Sequence, residues 1–202
     1  MSHPIRVEIE PYDPALTPTV ASMTARDELI ELIKSLAVVR GKVTLASGKE
    51  ADYYVDLRRV SLGGVAAPLV GEVMTELVAD WDFVAAGGLT LGADPVAVAM
   101  LHHAAHTGGR LDAFVVRKES KAHGLQRRIE GTQVAGRRVL VVEDTSTTGG
   151  SVLTAVDAVR AAGGDARIAS DAGEIAAADA IVLPGVGAFA DAAATMEELG
   201  QM

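Results

Sequence analysis

The segment Val139-Leu140-Val141-Val142-Glu143-Asp144-Thr145-Ser146-Thr147-Thr148-Gly149-Gly150-Ser151 constrains this chain more than any other. Four consecutive apolar residues suit a strand buried in a sheet. Two carboxylates follow at the strand's C-terminal edge. A turn rich in hydroxyls and glycines then opens a helix, expected from Ser151 to Ala162 and ended by Gly163-Gly164. A buried strand feeding a helix through such a turn points to an α/β fold.

The rest of the chain repeats that alternation. A helix is expected to begin at Thr24, where Asp27 completes a capping box, with Leu29, Leu32, Ile33 and Leu36 on one face and Gly41 ending the unit. KVTLASGKEADYYVDLRR reads as two short strands around Ser47-Gly48. A helix from about Val65 to Ala79 should point Val73, Leu77 and Val78 inward. The apolar run Phe83 to Ala86 leads into a loop, GGLTLGADP, and a helix over Pro95 to His106. Ala113 to Val116 makes a further strand that delivers the charged loop RKESKAHGLQRR. These elements predict a doubly wound, mostly parallel sheet with a small hood. Apolar residues make up 49% of the chain and aromatics only 3%, so small side chains must let the layers approach closely.

Composition narrows the chemistry. A net charge of -9 argues against a nucleic-acid-binding surface spread over the whole protein, although a local positive patch can still hold a phosphorylated small molecule. With no cysteine, disulfides, thiolate metal sites and cysteine nucleophiles are excluded. No apolar run approaches the roughly 18 residues of a membrane span. Residues 1–23 hold four of the seven prolines and read as an extended arm, whose acids and prolines do not suit a signal peptide. A soluble, cytoplasmic protein is expected.

Ligands of open α/β sheets bind at the C-terminal edge of the strands. There the turn from Thr145 to Ser151 can offer backbone N–H groups and hydroxyls to a phosphate at the positive end of the helix. Glu143 and Asp144 would repel a phosphate in contact, so they should face ribose hydroxyls, with a magnesium ion nearby. The turn lacks the lysine of a nucleotide-triphosphatase loop. Arg117, Lys118, Lys121, Arg127 and Arg128 stand against one acid, Glu119, a local excess of four positive charges. On charge alone this is a solvated surface loop.

VLVVEDTSTTGGS resembles the phosphoribosyl pyrophosphate (PRPP) motif of type I phosphoribosyltransferases. RKESKAHG resembles the mobile catalytic loop of the orotate phosphoribosyltransferases. That resemblance implies the type I phosphoribosyltransferase fold and transfer of ribose 5-phosphate from PRPP to orotate, with Mg2+. It implies that Arg117, Lys118, Lys121 and His123 contact the pyrophosphate, with Lys121, His123 and Asp144 as catalytic residues. Glu143, Asp144 and Thr145, Ser146, Thr147, Thr148, Gly149, Gly150 and Ser151 then bind PRPP, the last seven at its 5'-phosphate. Gly87 to Gly92 matches the pyrophosphate turn, which places Thr90 and Leu91 at PRPP; many members carry a lysine where this chain has Leu91. Tyr54 and Val55, with Thr147, align with the orotate side, although Tyr53 and Tyr54 read equally well as plain strand residues. Ala46 stands where some members have lysine. A homodimer sharing the loop 117–128 between subunits is also implied.

The resemblance covers residues 24–164. Beyond it, residues 165–202 lack the arginine-bearing turn that grips the orotate carboxylate in the family. This tail is similar, notably in LPGVGAF, to the glutaminase subunit of imidazole glycerol phosphate synthase, whose cysteine chemistry is impossible here. It reads as completing the sheet with a strand over Ala166 to Ala169, then adding a helix, a strand and a helix. Two other readings therefore stay open: an inactive PRPP-binding protein, or a type I enzyme for another nucleobase. His102, His103 and His106 cluster on one helix, but further metal ligands are not in sight. Gly185 to Ala190 matches a dinucleotide fingerprint only formally.

Overall fold

The computed structural model describes residues 23–44, 50–119, 128–145 and 149–166. The N-terminal arm, Ala46, the middle of the basic loop, residues 146–148 and the tail from 167 lie outside them.

The first helix, α1 (Ala25–Leu32), starts where the sequence said it would. Thr24 Oγ1 accepts from the Asp27 N–H at 3.2 Å, and the Asp27 carboxylate accepts from the Thr24 N–H at 3.3 Å. The Thr24 hydroxyl, which donates to the Asp27 carboxylate at 2.7 Å, and then the Thr24 N–H hold the Asp27 carboxyl below its ordinary range. Gly41 does not end the unit. One π-helical turn (Ile33–Ala37) leads directly into β1 (Val38–Thr44), and Gly41 lies inside that strand. Its φ of 136° falls where the pairing register shifts between Arg40 and Val43, a bulge that glycine accommodates. β2 (Glu50–Val55) pairs antiparallel with β1 to form the hood. The Asp56 N–H donates to the Ala37 carbonyl at 2.9 Å and ties the hood to the π-turn.

A short helix, α2 (Arg58–Ser61), which the sequence did not suggest, precedes α3 (Ala66–Leu77). Val73 and Val78 are buried as expected, but Leu77 is 49% exposed. The backbone leaves helical geometry at Val78 (φ -118°, ψ 21°), and Val78 takes the inward place at this end of the helix.

The main sheet has the strand order β5-β4-β3-β6. Its central strand, β3 (Ala85–Leu89), is buried at every residue and pairs in parallel with β4 (Asp112–Val116) and β6 (Leu140–Val141). From the sequence, the apolar run is expected to end at Ala86 and Gly87 to Leu89 to lie in a loop. The glycines are instead what the strand needs. A Cβ on Gly87 would run into Phe114, and one on Gly88 would overlap the Val142 carbonyl and come within 2.6 Å of the Ala93 Cβ. After β3, α4 (Ala93–His106) crosses over to β4 and begins two residues before the expected Pro95.

β5 (Ile129–Gly131) turns back antiparallel onto β4, so the basic loop springs from a hairpin base rather than a free connection. Residues Val139 to Val142 form a shorter strand than expected. Val139 still donates to Asp165 and Val142 to the Gly87 carbonyl, at 3.3 and 2.8 Å. α5 (Gly150–Ala161) follows, and Gly163 ends it at φ 79°. Asp165 then makes a single parallel bridge to Arg138, and Ala166 is buried; residues 167–169 of the expected strand lie outside the described residues.

Two apolar cores lie on opposite faces of the sheet. One joins Leu29, Val70, Val73, Val96 and Met100 of α1, α3 and α4 to Ala86, Leu140 and Val142. The other joins Val156 and Val159 of α5 to Ala85, Leu89, Phe114 and Val116. Helices on both faces of a mostly parallel sheet bear out the doubly wound expectation. Among the described residues, no helix is long and apolar enough to cross a membrane.

Candidate functional site

Three parallel strands deliver their C-terminal ends to one edge: β3 into Thr90-Leu91-Gly92, β4 into Arg117, and β6 into Glu143 and Asp144. The Thr90 N–H donates to the Val116 carbonyl at 2.8 Å, which ties the first turn to the end of β4. The Thr90–Leu91 peptide is cis, and Leu91 is 60% exposed.

The two acids lie against Gly92. A Cβ there would overlap the Asp144 carboxylate and come within 2.8 Å of Glu143 Oε1. Only glycine therefore lets the β3 turn approach the acids so closely. Glu143 Oε1 accepts from the Asp144 N–H at 3.1 Å, while Asp144 Oδ1 accepts from the Thr145 N–H at 2.7 Å and its hydroxyl at 3.3 Å. Burial pushes the Glu143 carboxyl up to about 7. Its hydrogen bond with the Asp144 side chain and the negative charges of Asp144 and Asp94 act in the same direction, against the Asp144 N–H. A carboxyl shifted this far at the ligand-binding edge of the sheet marks a candidate functional site.

Past the undescribed residues 146–148, Gly149 adopts the left-handed conformation (φ 74°) and caps α5, whose positive end opens toward the same edge. Gly150 and Ser151 in its first turn are exposed. Arg117 is half-buried, with Nη1 3.9 Å from Glu130 Oε1 and a buried Nε that has no hydrogen-bond partner among the described residues. The Arg117 N–H donates to the Arg128 carbonyl at 2.8 Å, which closes the base of the loop. Lys118 is exposed; Lys121, His123, Ser146, Thr147 and Thr148 lie outside the described residues.

On the hood, Tyr54 is 40% exposed, whereas Val55 packs against the core of α1, α3 and α4. The structure thus brings together Thr90, Leu91, Arg117, Glu143, Asp144 and Thr145, with Gly149 at the head of α5. Two neighbours carry no clear signal in the sequence. Asp94 in the first turn of α4 accepts from the Thr90 hydroxyl at 2.7 Å. Arg58 donates to Asp56 Oδ1 at 2.8 Å, a bond that, with the charges of Asp56, Tyr54 and Asp144, holds its guanidinium above the ordinary range. Neither position follows a motif; an acid two residues after Gly92 is the nearest hint in the sequence. Among the described residues no group of three or more histidines and acids is placed to hold a metal ion, the histidines of α4 included.

Many known proteins are similar to this chain. An orotate phosphoribosyltransferase of Streptomyces avermitilis is 73% identical over 135 residues, which cover 67% of this chain and 74% of that protein. The crystal structure of Mycobacterium tuberculosis H37Rv orotate phosphoribosyltransferase in complex with PRPP is 56% identical and covers 70% of this chain and 78% of that one, with a TM-score of 0.60. A phosphoribosyltransferase from Corynebacterium diphtheriae is 58% identical, covering 71% and 79%, with a TM-score of 0.63. No family model matches the chain.

Proposed function

The chain belongs to the orotate phosphoribosyltransferase family, and from that membership we propose how its residues transfer ribose 5-phosphate from PRPP to orotate, giving orotidine 5'-monophosphate and pyrophosphate in pyrimidine synthesis. One observation carries the residue assignment: Glu143 and Asp144 at the end of β6 meet the Thr90–Gly92 turn at the end of β3, beside the N-terminus of α5.

The start of α5 (Gly149, Gly150, Ser151), with Thr145, Ser146, Thr147 and Thr148, holds the 5'-phosphate through N–H groups, hydroxyls and the helix dipole. Glu143 and Asp144 hold the ribose hydroxyls. Thr90, Leu91, Arg117, Lys118, Lys121 and His123 meet the pyrophosphate, while Tyr54, Val55 and Thr147 face orotate. The reacting centre is the anomeric carbon, where positive charge grows as pyrophosphate leaves. Asp144 stabilises that charge, and Lys121 and His123 stabilise the charge on the departing group. The protein acts by positioning and electrostatics, without a covalent intermediate.

The donor set fits magnesium. Glu143 and Asp144 bring hard carboxylate oxygens and negative charge beside Gly92, where the ion would arrive with PRPP, since among the described residues no group of three acids is placed to hold it directly. Bound with PRPP near Glu143 and Asp144, Mg2+ would neutralise part of the pyrophosphate charge. The family resemblance further supports a cytoplasmic homodimer sharing loop 117–128 across subunits, with the catalytic unit in residues 24–164. A mixing experiment tests both the assignment and the sharing. Lys121→Ala and Asp144→Asn protomers, each strongly impaired alone, should regain activity when mixed. No regain in verified mixed dimers would overturn the shared site.

A further inference from the structure

Asp94 has no task in the reaction just described, yet it is built into the turn that the pyrophosphate meets. Its Oδ2 accepts from the Thr90 hydroxyl at 2.7 Å, while the Thr90 N–H is held by the Val116 carbonyl at 2.8 Å. Thr90 is therefore fixed by α4 through its side chain and by β4 through its main chain. The second carboxylate oxygen, Asp94 Oδ1, is buried without a hydrogen-bond partner among the described residues.

An acid in the first turn of a helix is ordinary, because it complements the helix dipole. A solvent-facing carboxylate would serve that purpose equally well, and burying one oxygen unpaired is costly. Asp94 also adds its negative charge to that of Asp144 around Glu143. A residue kept for the dipole alone would carry neither burden.

We propose that Asp94 is a positioning residue for pyrophosphate recognition: by holding the Thr90 hydroxyl it sets the path of residues 90–92, where Leu91 offers no charge of its own. An acid in contact with a diphosphate would repel it, so Asp94 acts through Thr90. The inference rests on the reading that residues 90–92 meet the pyrophosphate of PRPP.

Steady-state kinetics of Asp94→Ala, Asp94→Asn, Thr90→Val and the Asp94→Ala/Thr90→Val pair test it, with thermal melts to confirm folding. Asp94→Ala should raise KM for PRPP about tenfold, with kcat and KM for orotate within about threefold of the parent. Asp94→Asn, which still accepts from Thr90, should recover most of that loss, and the double variant should be no worse than Thr90→Val alone. An unchanged KM for PRPP in Asp94→Ala, additive losses in the pair, or Asn as damaging as Ala would overturn the proposal. If Asp94→Ala fails to fold, Asp94→Asn beside Thr90→Val carries the test: Asn as damaging as Val overturns it. A normal KM for PRPP in Thr90→Val removes the reading of residues 90–92 itself, and the role of Asp94 with it.

Discussion

Replacing Glu143 by Gln should make the unliganded protein more stable at neutral and alkaline pH while impairing its chemistry. Burial, the hydrogen bond with the Asp144 side chain, and the charges of Asp144 and Asp94 raise the Glu143 carboxyl from 4.5 to about 7. The folded state therefore prefers the neutral form. Its contribution is complete below the ordinary carboxylate range and is lost as pH rises from about 4.5 through about 7. At roughly 1.4 kcal/mol per unit, the shift has a ceiling of about 3 kcal/mol, and solvent screening at this half-buried site reduces it to about 1–2 kcal/mol. Gln keeps an oxygen to accept from the Asp144 N–H and carries no charge. Thermal melts of both proteins without PRPP or magnesium should coincide near about pH 4.5 and separate above about pH 7. The variant should then melt higher by about 2–8 °C, at about 2–4 °C per kcal/mol for a chain of this size. A difference that stays constant across that range would refute the reasoning, as would a parent protein that gains on the variant as pH rises.

Other perturbations probe separate parts of the account. Gly88→Ala should destabilise the fold by about 3 kcal/mol or more, because its Cβ meets the Val142 carbonyl and lies 2.6 Å from the Ala93 Cβ; a parent-like urea midpoint would contradict this. Gly92→Ala pushes a methyl group against the Asp144 carboxylate and within 2.8 Å of Glu143 Oε1. It should lower kcat/KM about 10- to 100-fold with little change in Tm, as stopped assays and melts would show. Lys121→Ala should reduce kcat about 100-fold if its charge meets the departing pyrophosphate, and an unchanged kcat would remove it from the catalytic set.

Much of the fold was legible because its strongest signals are local. The apolar run before Glu143-Asp144, the Thr24/Asp27 capping box and Gly163 at the end of α5 each report on their own few residues. Gly87 to Leu89 misled because glycine usually marks a turn. Here the close approach of Phe114, Val142 and Ala93 from distant parts of the chain demands it, and no short window shows that. β5 was hidden for the same reason, since three residues become a strand only by pairing with β4. At the site, the acids and the turn before α5 were readable as chemistry on consecutive residues. Asp94 and Arg58 were not, because what marks them is a hydrogen bond to Thr90 in one case and the charge of Asp144 in the other.

The most direct test of the account is turnover by the full chain, with orotate consumption followed by ultraviolet absorbance in the presence of PRPP and magnesium. The account predicts orotidine 5'-monophosphate and pyrophosphate in equal amounts, dependent on all three additions and abolished by Asp144→Asn. Folded protein that binds PRPP calorimetrically yet leaves orotate unchanged would contradict it.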